Sequence, residues 1–307
     1  MIKSICLLGL VLPAANPPLN QQTADRLDDA AQLRQQVVSA LLQHRLDGFE
    51  GTVTFEKEFW FPPKDRPVTP ADATGYSRQR WEITTDGRKS VVARLEFLEG
   101  SNNTFPFIAG EDTDRIWRAI GRELYVYEKD AFAQARDSDP LGLGGTQQLI
   151  EQAWNELEAV FSVARLVAPG LDVDEQVVSA RQVGDTVDVI AKRGDDTYHL
   201  ALKLMDGNLQ PVSMQSQDPF GPSKWTFSGY YRAVDRWVPE TVQWEGMTPE
   251  GERKIMRTSQ IRVNRISDRS ALAEVLKVPS RARGPYKHLV IALVVTAEGT
   301  EDHSIRP

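Results

Sequence analysis

Trp225-Thr-Phe-Ser-Gly-Tyr-Tyr-Arg-Ala-Val-Asp-Arg-Trp-Val-Pro-Glu-Thr-Val-Gln-Trp244 decides how this chain is read. Trp225 and Phe227 fall on one face of an extended segment, because successive side chains of a strand point to opposite sides. Aromatic and β-branched residues suit a half-buried, pleated surface. The stretch predicts two long antiparallel strands turning at Ala233 to Arg236. It contains no catalytic motif. Its weight comes from its place at the end of a series of similar hairpins, which together describe one large sheet with an apolar face that must be covered.

Working back toward the N-terminus, the same rhythm recurs. Gly51 to Phe61 sets Val53 and Phe55 against Thr52, Thr54 and Glu56, and is stopped by Pro62 and Pro63, since proline cannot donate to a ladder. Residues 62–73 form a Pro-rich excursion. Gly75 to Thr84 and Arg88 to Leu98 are joined at Thr85-Asp86-Gly87, and Asp-Gly between alternating apolar residues is a strong hairpin signal. Asp114 to Ala119 pairs with Glu123 to Glu128 around Gly121. After a linker at 137–145, strands resume over Gln176 to Val183, Thr186 to Lys192, Tyr198 to Met205 and Leu209 to Gln215. Glu252 to Ile266 is the last full strand. Ser267 then caps a short helix through Leu276, and Tyr286 to Ala297 reads as an added edge strand.

Two segments have helical rather than strand periodicity. Leu27, Ala30, Ala31, Val37, Val38, Leu41 and Leu42 make one apolar stripe. Leu149, Ile150, Ala153, Trp154, Leu157, Val160, Phe161 and Ala164 make another. The order is helix, about five strands, helix, about seven strands, without the strand-helix alternation of a parallel sheet. The expected class is α+β: a large curved antiparallel sheet, since that many strands do not stay flat, with the two amphipathic helices covering its concave face.

The 307 residues carry a net charge of -7, which argues against a nucleic-acid partner. An apolar fraction of 41% is a globular value. Residues 1–15 place Lys3, an apolar run from Ile5 to Leu12, and Pro13-Ala-Ala15 in the order of a secretory signal. The single cysteine, Cys6, lies inside it, so the mature chain would have no thiol to mispair in an oxidising compartment. The expectation is a periplasmic or otherwise exported protein, with a tether at 16–26, one domain over 27–280 and an extension at 281–307. The apolar runs are too short to span a bilayer, which takes about 20 helical residues.

Catalytic patterns are absent. There is no Gly-x-Ser-x-Gly elbow and no phosphate loop, and Gln147 stands where a dinucleotide fingerprint after Gly142-Leu-Gly144 would need its third glycine. The four histidines are scattered, so neither a metal site nor a cofactor is expected. Glu111-Asp-Thr-Asp114 reads as turn chemistry. What remains is a set of strand aromatics and neighbours: Trp81, Ile83, Trp117, Tyr125, Tyr127, Trp225 and Phe227. Alternation puts Trp81 with Ile83, Tyr125 with Tyr127, and Trp225 with Phe227. Two readings stand side by side, ordinary packing under the helices and a hydrophobic cavity that the helices only partly fill.

A family pattern also shows. An amphipathic helix leads into Gly48-Phe-Glu-Gly-Thr-Val-Thr-Phe55. Arg80-Trp-Glu82, Leu124-Tyr-Val-Tyr127, Leu202-Lys-Leu-Met-Asp-Gly-Asn-Leu-Gln-Pro211, Phe227-Ser-Gly-Tyr-Tyr231, Trp237-Val-Pro-Glu240 and Val263-Asn-Arg-Ile266 follow in order. Over roughly residues 27 to 280 the chain resembles the superfamily of outer-membrane lipoprotein carriers of the LolA type and their lipoprotein-sorting relatives. The resemblance implies an unclosed barrel with a helical lid over a cavity for acyl chains or lipoprotein, a periplasmic setting, no cofactor and no chemistry. It also puts Arg80 near the strand arginine that touches the lid in carriers. The excursion at 62–73, the linker at 137–145 and the tail after 280 depart from the carriers, and an envelope protein-interaction or stress-sensor module on the same fold, its cavity filled, is the alternative.

Overall fold

The computed structural model describes residues 31–40, 49–62, 74–100, 106–131, 143–161, 177–193, 196–218, 221–234, 236–279, 289, 291–296 and 298–304. The expected signal, the tether and most of the 62–73 excursion lie outside them.

A first helix, α1, is described over 31–40. The chain then lays down β1 (Gly51–Phe61), β2 (Thr74–Thr85), β3 (Val91–Glu99), β4 (Phe107–Glu111), β5 (Arg115–Ile120) and β6 (Glu123–Glu128). Helix α2 (Leu143–Phe161) separates these from β7 (Val177–Val183), β8 (Thr186–Arg193), β9 (Asp196–Met205) and β10 (Asn208–Asp218). Next come β11 (Gly221–Ser228), β12 (Tyr231–Ala233), β13 (Arg236–Val238), β14 (Thr241–Met247), β15 (Arg253–Arg265) and helix α3 (Arg269–Leu276). Strands β16 (Ile291–Thr296) and β17 (Gly299–Asp302) end the described chain.

Fifteen strands form one sheet in the order β17-β16-β6-β5-β4-β3-β2-β1-β15-β14-β11-β10-β9-β8-β7. Every pairing is antiparallel except β16 on β6. The sheet curves without closing into a barrel, and α1 and α2 lie on its concave, inner face. Two meanders, β1 to β6 and β7 to β15, are joined in the sheet where β1 pairs with β15, with Val53 opposite Val263. A β-bulge interrupts this seam: Thr54 faces Arg262 and Glu56 faces Ser259, so two residues of β15 oppose Phe55. Gln260, at the bulge, takes a positive φ of 55°.

The stretch 225–244 is not two long strands. β11 pairs directly with β14, Trp225 opposite Trp244, and the segment between them leaves the sheet as a separate hairpin, β12 with β13. Gly229 makes the departure possible. Its φ is +68°, and a Cβ there would sit 2.9 Å from the Cβ of Glu240. Pro239, which has no N–H for a ladder, marks the return. The hairpin folds onto the inner face, where Tyr231, Ala233 and Val238 join the core beneath α2.

Three other expectations shift. The strand β4 was not anticipated, because it is five residues long and follows Pro106. Helix α2 begins at Leu143, inside the expected linker, so Gly144 and Gly145 are helical. The cap of α3 is Asp268 rather than Ser267: its carboxylate accepts from the Ser270 and Ala271 N–H groups, and an anion suits the positive end of a helix. Beyond residue 280 the late apolar run does add a strand to the sheet, and β17 then becomes the outermost one.

Candidate functional site

The inner face of β1 to β4 and β15 is an apolar floor. Alternation and register align Val53 and Phe55 with Ile83 and Trp81, and these with Ala93 and Leu95. Phe55 stacks on Trp81, ring centroids 6.1 Å apart and planes within 12°. Ile261 and Val263 complete the floor from β15. Helix α2 rests on it through Ile150, Ala153 and Leu157, which recur at i, i+3 and i+7 along one helix face. The β12–β13 hairpin covers the remainder. The cover is tightest at the centre, where Trp81 and Ile83 are 0% exposed, while Phe97 and Phe107 at the margin are half-buried.

Polar ties between this cover and the floor are sparse. Lys57, which alternation places on the inner face with Phe55, forms an ion pair with Glu156 of α2. Trp154 donates its indole N–H to Glu111 at the end of β4, 2.8 Å away. The hairpin is held by Tyr231, whose hydroxyl accepts the Val263 N–H at 3.1 Å, and by the Ile261 N–H, freed by the bulge, donating to the Glu240 carbonyl at 3.2 Å. Burial pushes the Tyr231 phenol up from its ordinary pKa. Arg262 adds an ion pair to Glu240 and lies over the Tyr231 ring, and the contacts of α2 with the floor are otherwise apolar among the described residues.

A second covered region lies on β7 to β11. Helix α1 sets Val37, Val38 and Ala40 on Val189, Leu200, Met214 and Phe227, and Arg34 donates from Nε to the Val177 carbonyl of edge strand β7 at 3.0 Å. Val242 touches both regions and joins them. Beside it Tyr230 donates to the Pro211 carbonyl, and burial raises its phenol pKa strongly.

The aromatics singled out from sequence do not form one site. Trp81 and Ile83 lie under α2, while Trp225 and Phe227 lie in the α1 region. Tyr125 and Tyr127 form a separate pair toward the sheet edge, packed with Ile116, Leu293 and Val295. Trp117 is on the opposite face, under α3 with Leu272 and Leu276. One position separates the two faces of a strand, and composition alone did not show which way Trp117 points.

Arg80 likewise does not touch the helical cover among the described residues. It is on the outer face, donating to Glu56 at 2.9 Å and lying 3.8 Å from Glu96. Glu56 also accepts from Arg78 Nε at 3.0 Å and from Gln260 at 3.2 Å. Beside it Glu58 accepts from Tyr76 at 2.7 Å and from Arg257 Nε at 2.7 Å. Burial acts to raise the Glu56 pKa, but the hydrogen bonds and charges of Arg78 and Arg80 outweigh it and hold the carboxyl below its usual range. Burial and the Glu58 carboxylate push the Tyr76 phenol up to about 12.

Sequence reading missed Lys57, Glu111, Trp154 and Glu156 as a set. One signal was present: a lysine at an inward position of an otherwise apolar alternation needs a buried partner. Among the described residues no three His, Cys, Asp or Glu side chains converge as a metal site would need. No helix among them is long and apolar enough to cross a membrane.

No protein-family pattern matches the chain, and no curated protein does. Solved structures do. A domain from Vibrio parahaemolyticus, named for outer membrane lipoprotein sorting, is 12% identical, with 78% of this chain and 97% of that one covered and a TM-score of 0.37. A LolA superfamily protein from Nitrosomonas europaea is 9% identical over 78% and 96%, with a TM-score of 0.38. A DUF1329 family protein from Desulfovibrio piger is 13% identical over 80% and 99%, with a TM-score of 0.39. Likenesses of this degree carry no argument about function.

Proposed function

We propose that the protein is a non-catalytic binding protein that takes an apolar, acyl-chain ligand, free or as part of a lipoprotein, between the inner face of the sheet and its cover. The observation that carries this is the contrast between floor and cover. The floor is a hydrogen-bonded sheet. Among the described residues its covering helix α2 is attached by apolar side chains and by two polar contacts, Lys57–Glu156 and Trp154–Glu111. An acyl chain entering there would replace one set of apolar contacts by another, at little net loss of buried area. An exported, periplasmic setting belongs to the proposal and is supported by the order of residues 1–15 and the lone Cys6.

The complete burial of Trp81 and Ile83 favours a second reading, in which the inner face stays filled and the protein serves as an envelope interaction or sensor module. Titration with a fluorescent long-chain fatty acid separates the two. The expected result is saturable binding that quenches tryptophan emission, with lipid found in the mass spectrum of the purified protein. A protein that carries no lipid and leaves the probe unbound is the interaction module instead.

A further inference from the structure

At one end of the sheet, beside the cover, an open pocket of about 400 Å3 is lined by Arg88, Lys89, Glu111, Thr113, Lys129 and Trp154. We propose that this pocket binds a phosphate-type anion, the charged head of an amphiphile whose chain lies under α2. The inference rests on the covered-floor reading for the chain, though not for the anion.

Charge is the first argument. Three cations face a single carboxylate. Glu111 is already committed, with one oxygen accepting from Trp154 and the other 3.6 Å from Lys129 Nζ. Among the described residues no ion pair or side-chain hydrogen bond engages the Arg88 guanidinium or the Lys89 ammonium. Two nearby acids are engaged by backbone N–H groups. Asp86 Oδ1 accepts the backbone N–H groups of Arg88, Lys89 and Ser90 at 2.9, 3.0 and 3.0 Å. Asp112 Oδ1 accepts those of Asp114 and Arg115 at 2.9 and 2.8 Å.

Preorganisation is the second. Those contacts fix both turns, and the Lys129 N–H donates to the Asp114 carbonyl at 2.9 Å, fixing the end of β6 against the second turn. The cations are therefore presented by three braced segments. An arginine fork with two flanking ammonium groups suits the oxygens of a phosphate.

Continuity is the third. Trp154 is both a wall of the pocket and a side chain packed against the apolar floor. An anion seated at the pocket also lies against the Glu111 carboxylate, and their like charges repel, which strains the Trp154–Glu111 contact of α2. Head recognition and opening of the cover are thereby linked.

Calorimetry on the whole chain at low salt, with dodecyl phosphate, dodecanol and inorganic phosphate below any micelle concentration, tests this. Dodecyl phosphate is expected to bind at least about tenfold more tightly than dodecanol. In Arg88→Ser with Lys89→Ser, exposed positions whose backbone contacts to Asp86 survive, that preference collapses and dodecanol binding is unchanged. Inorganic phosphate binding as tightly as dodecyl phosphate, and lost in the double variant, identifies free phosphate as the anion and keeps the pocket. Equal binding of dodecyl phosphate and dodecanol, or a preference that survives the double variant, overturns it. Phosphate binding without either alkyl probe leaves the pocket standing and sinks the covered floor.

Discussion

Glu56 carries more of the fold than its place in a string of alternating residues suggests. It is 6% exposed and accepts hydrogen bonds from side chains on both neighbours of β1, Arg78 and Arg80 on β2 and Gln260 on β15. Its pKa is lowered in the folded protein, so the unfolded chain binds the proton more readily. The stability this provides is present above the unfolded value near 4.5 and is lost as pH falls through the folded one. Urea unfolding at a series of pH values is expected to show Glu56→Gln about 2 kcal/mol less stable at neutral pH, with the gap closing below pH about 4.5. A gap that stays constant with pH would place the effect in packing rather than charge. Much at this scale was legible in the sequence. Alternation paired Trp81 with Ile83 and Tyr125 with Tyr127 correctly. It also set Arg80, the neighbour of Trp81, on the opposite face; what it could not name is the partner there, Glu56, which is reached only through strand register.

Helix α2 is the element on which the proposed opening depends, and its stripe of Ile150, Ala153 and Leu157 was readable from spacing alone. Its polar attachment was not, since Lys57 and Glu156 are 99 positions apart. Glu156→Gln is expected to weaken the pair and leave the Lys57 charge under the helix, at a cost of about 1–3 kcal/mol confined to the cover. Hydrogen exchange would then speed up severalfold along α2 with β1 and β2 unchanged, and acyl-probe uptake would quicken. Faster exchange throughout the sheet would mean that the pair supports the whole fold and is no local catch. The β12–β13 hairpin shows why elements can be misread. The sequence 225–244 has strand character throughout, and the decision to leave the sheet falls on Gly229 and the bulge opposite Phe55, neither of which alters hydrophobic periodicity.

Across the whole molecule, chain order and sheet order part company at three places: where β11 meets β14 across the departing hairpin, where β1 meets β15, and where β16 meets β6. The β16–β17 hairpin joins β6 in parallel, and Leu293 and Val295 cover Tyr125 and Tyr127. Deleting residues 289–304 would bare the backbone edge of β6 beside two aromatic side chains, a template for pairing with other chains. Light scattering is expected to show concentration-dependent association of the truncated protein, whereas a monodisperse truncated protein would show that β6 needs no cover. Neither this junction nor the β1–β15 seam was legible, because pairing between distant segments leaves no local mark. Only the meanders within each half announced themselves, through their turns.

That seam bears on how the protein comes into being. Gln260 follows Glu56 by 204 positions. At translation rates of about 5–20 residues per second, β1 waits roughly 10–40 s after its own synthesis for the strand that completes it. Throughout that interval one flank of the strand bearing Phe55 has no partner, and the centre of the finished sheet is the nascent chain's raw edge. The first strand made is thus among the last to be finished, and the newborn protein is most vulnerable at what later becomes its middle.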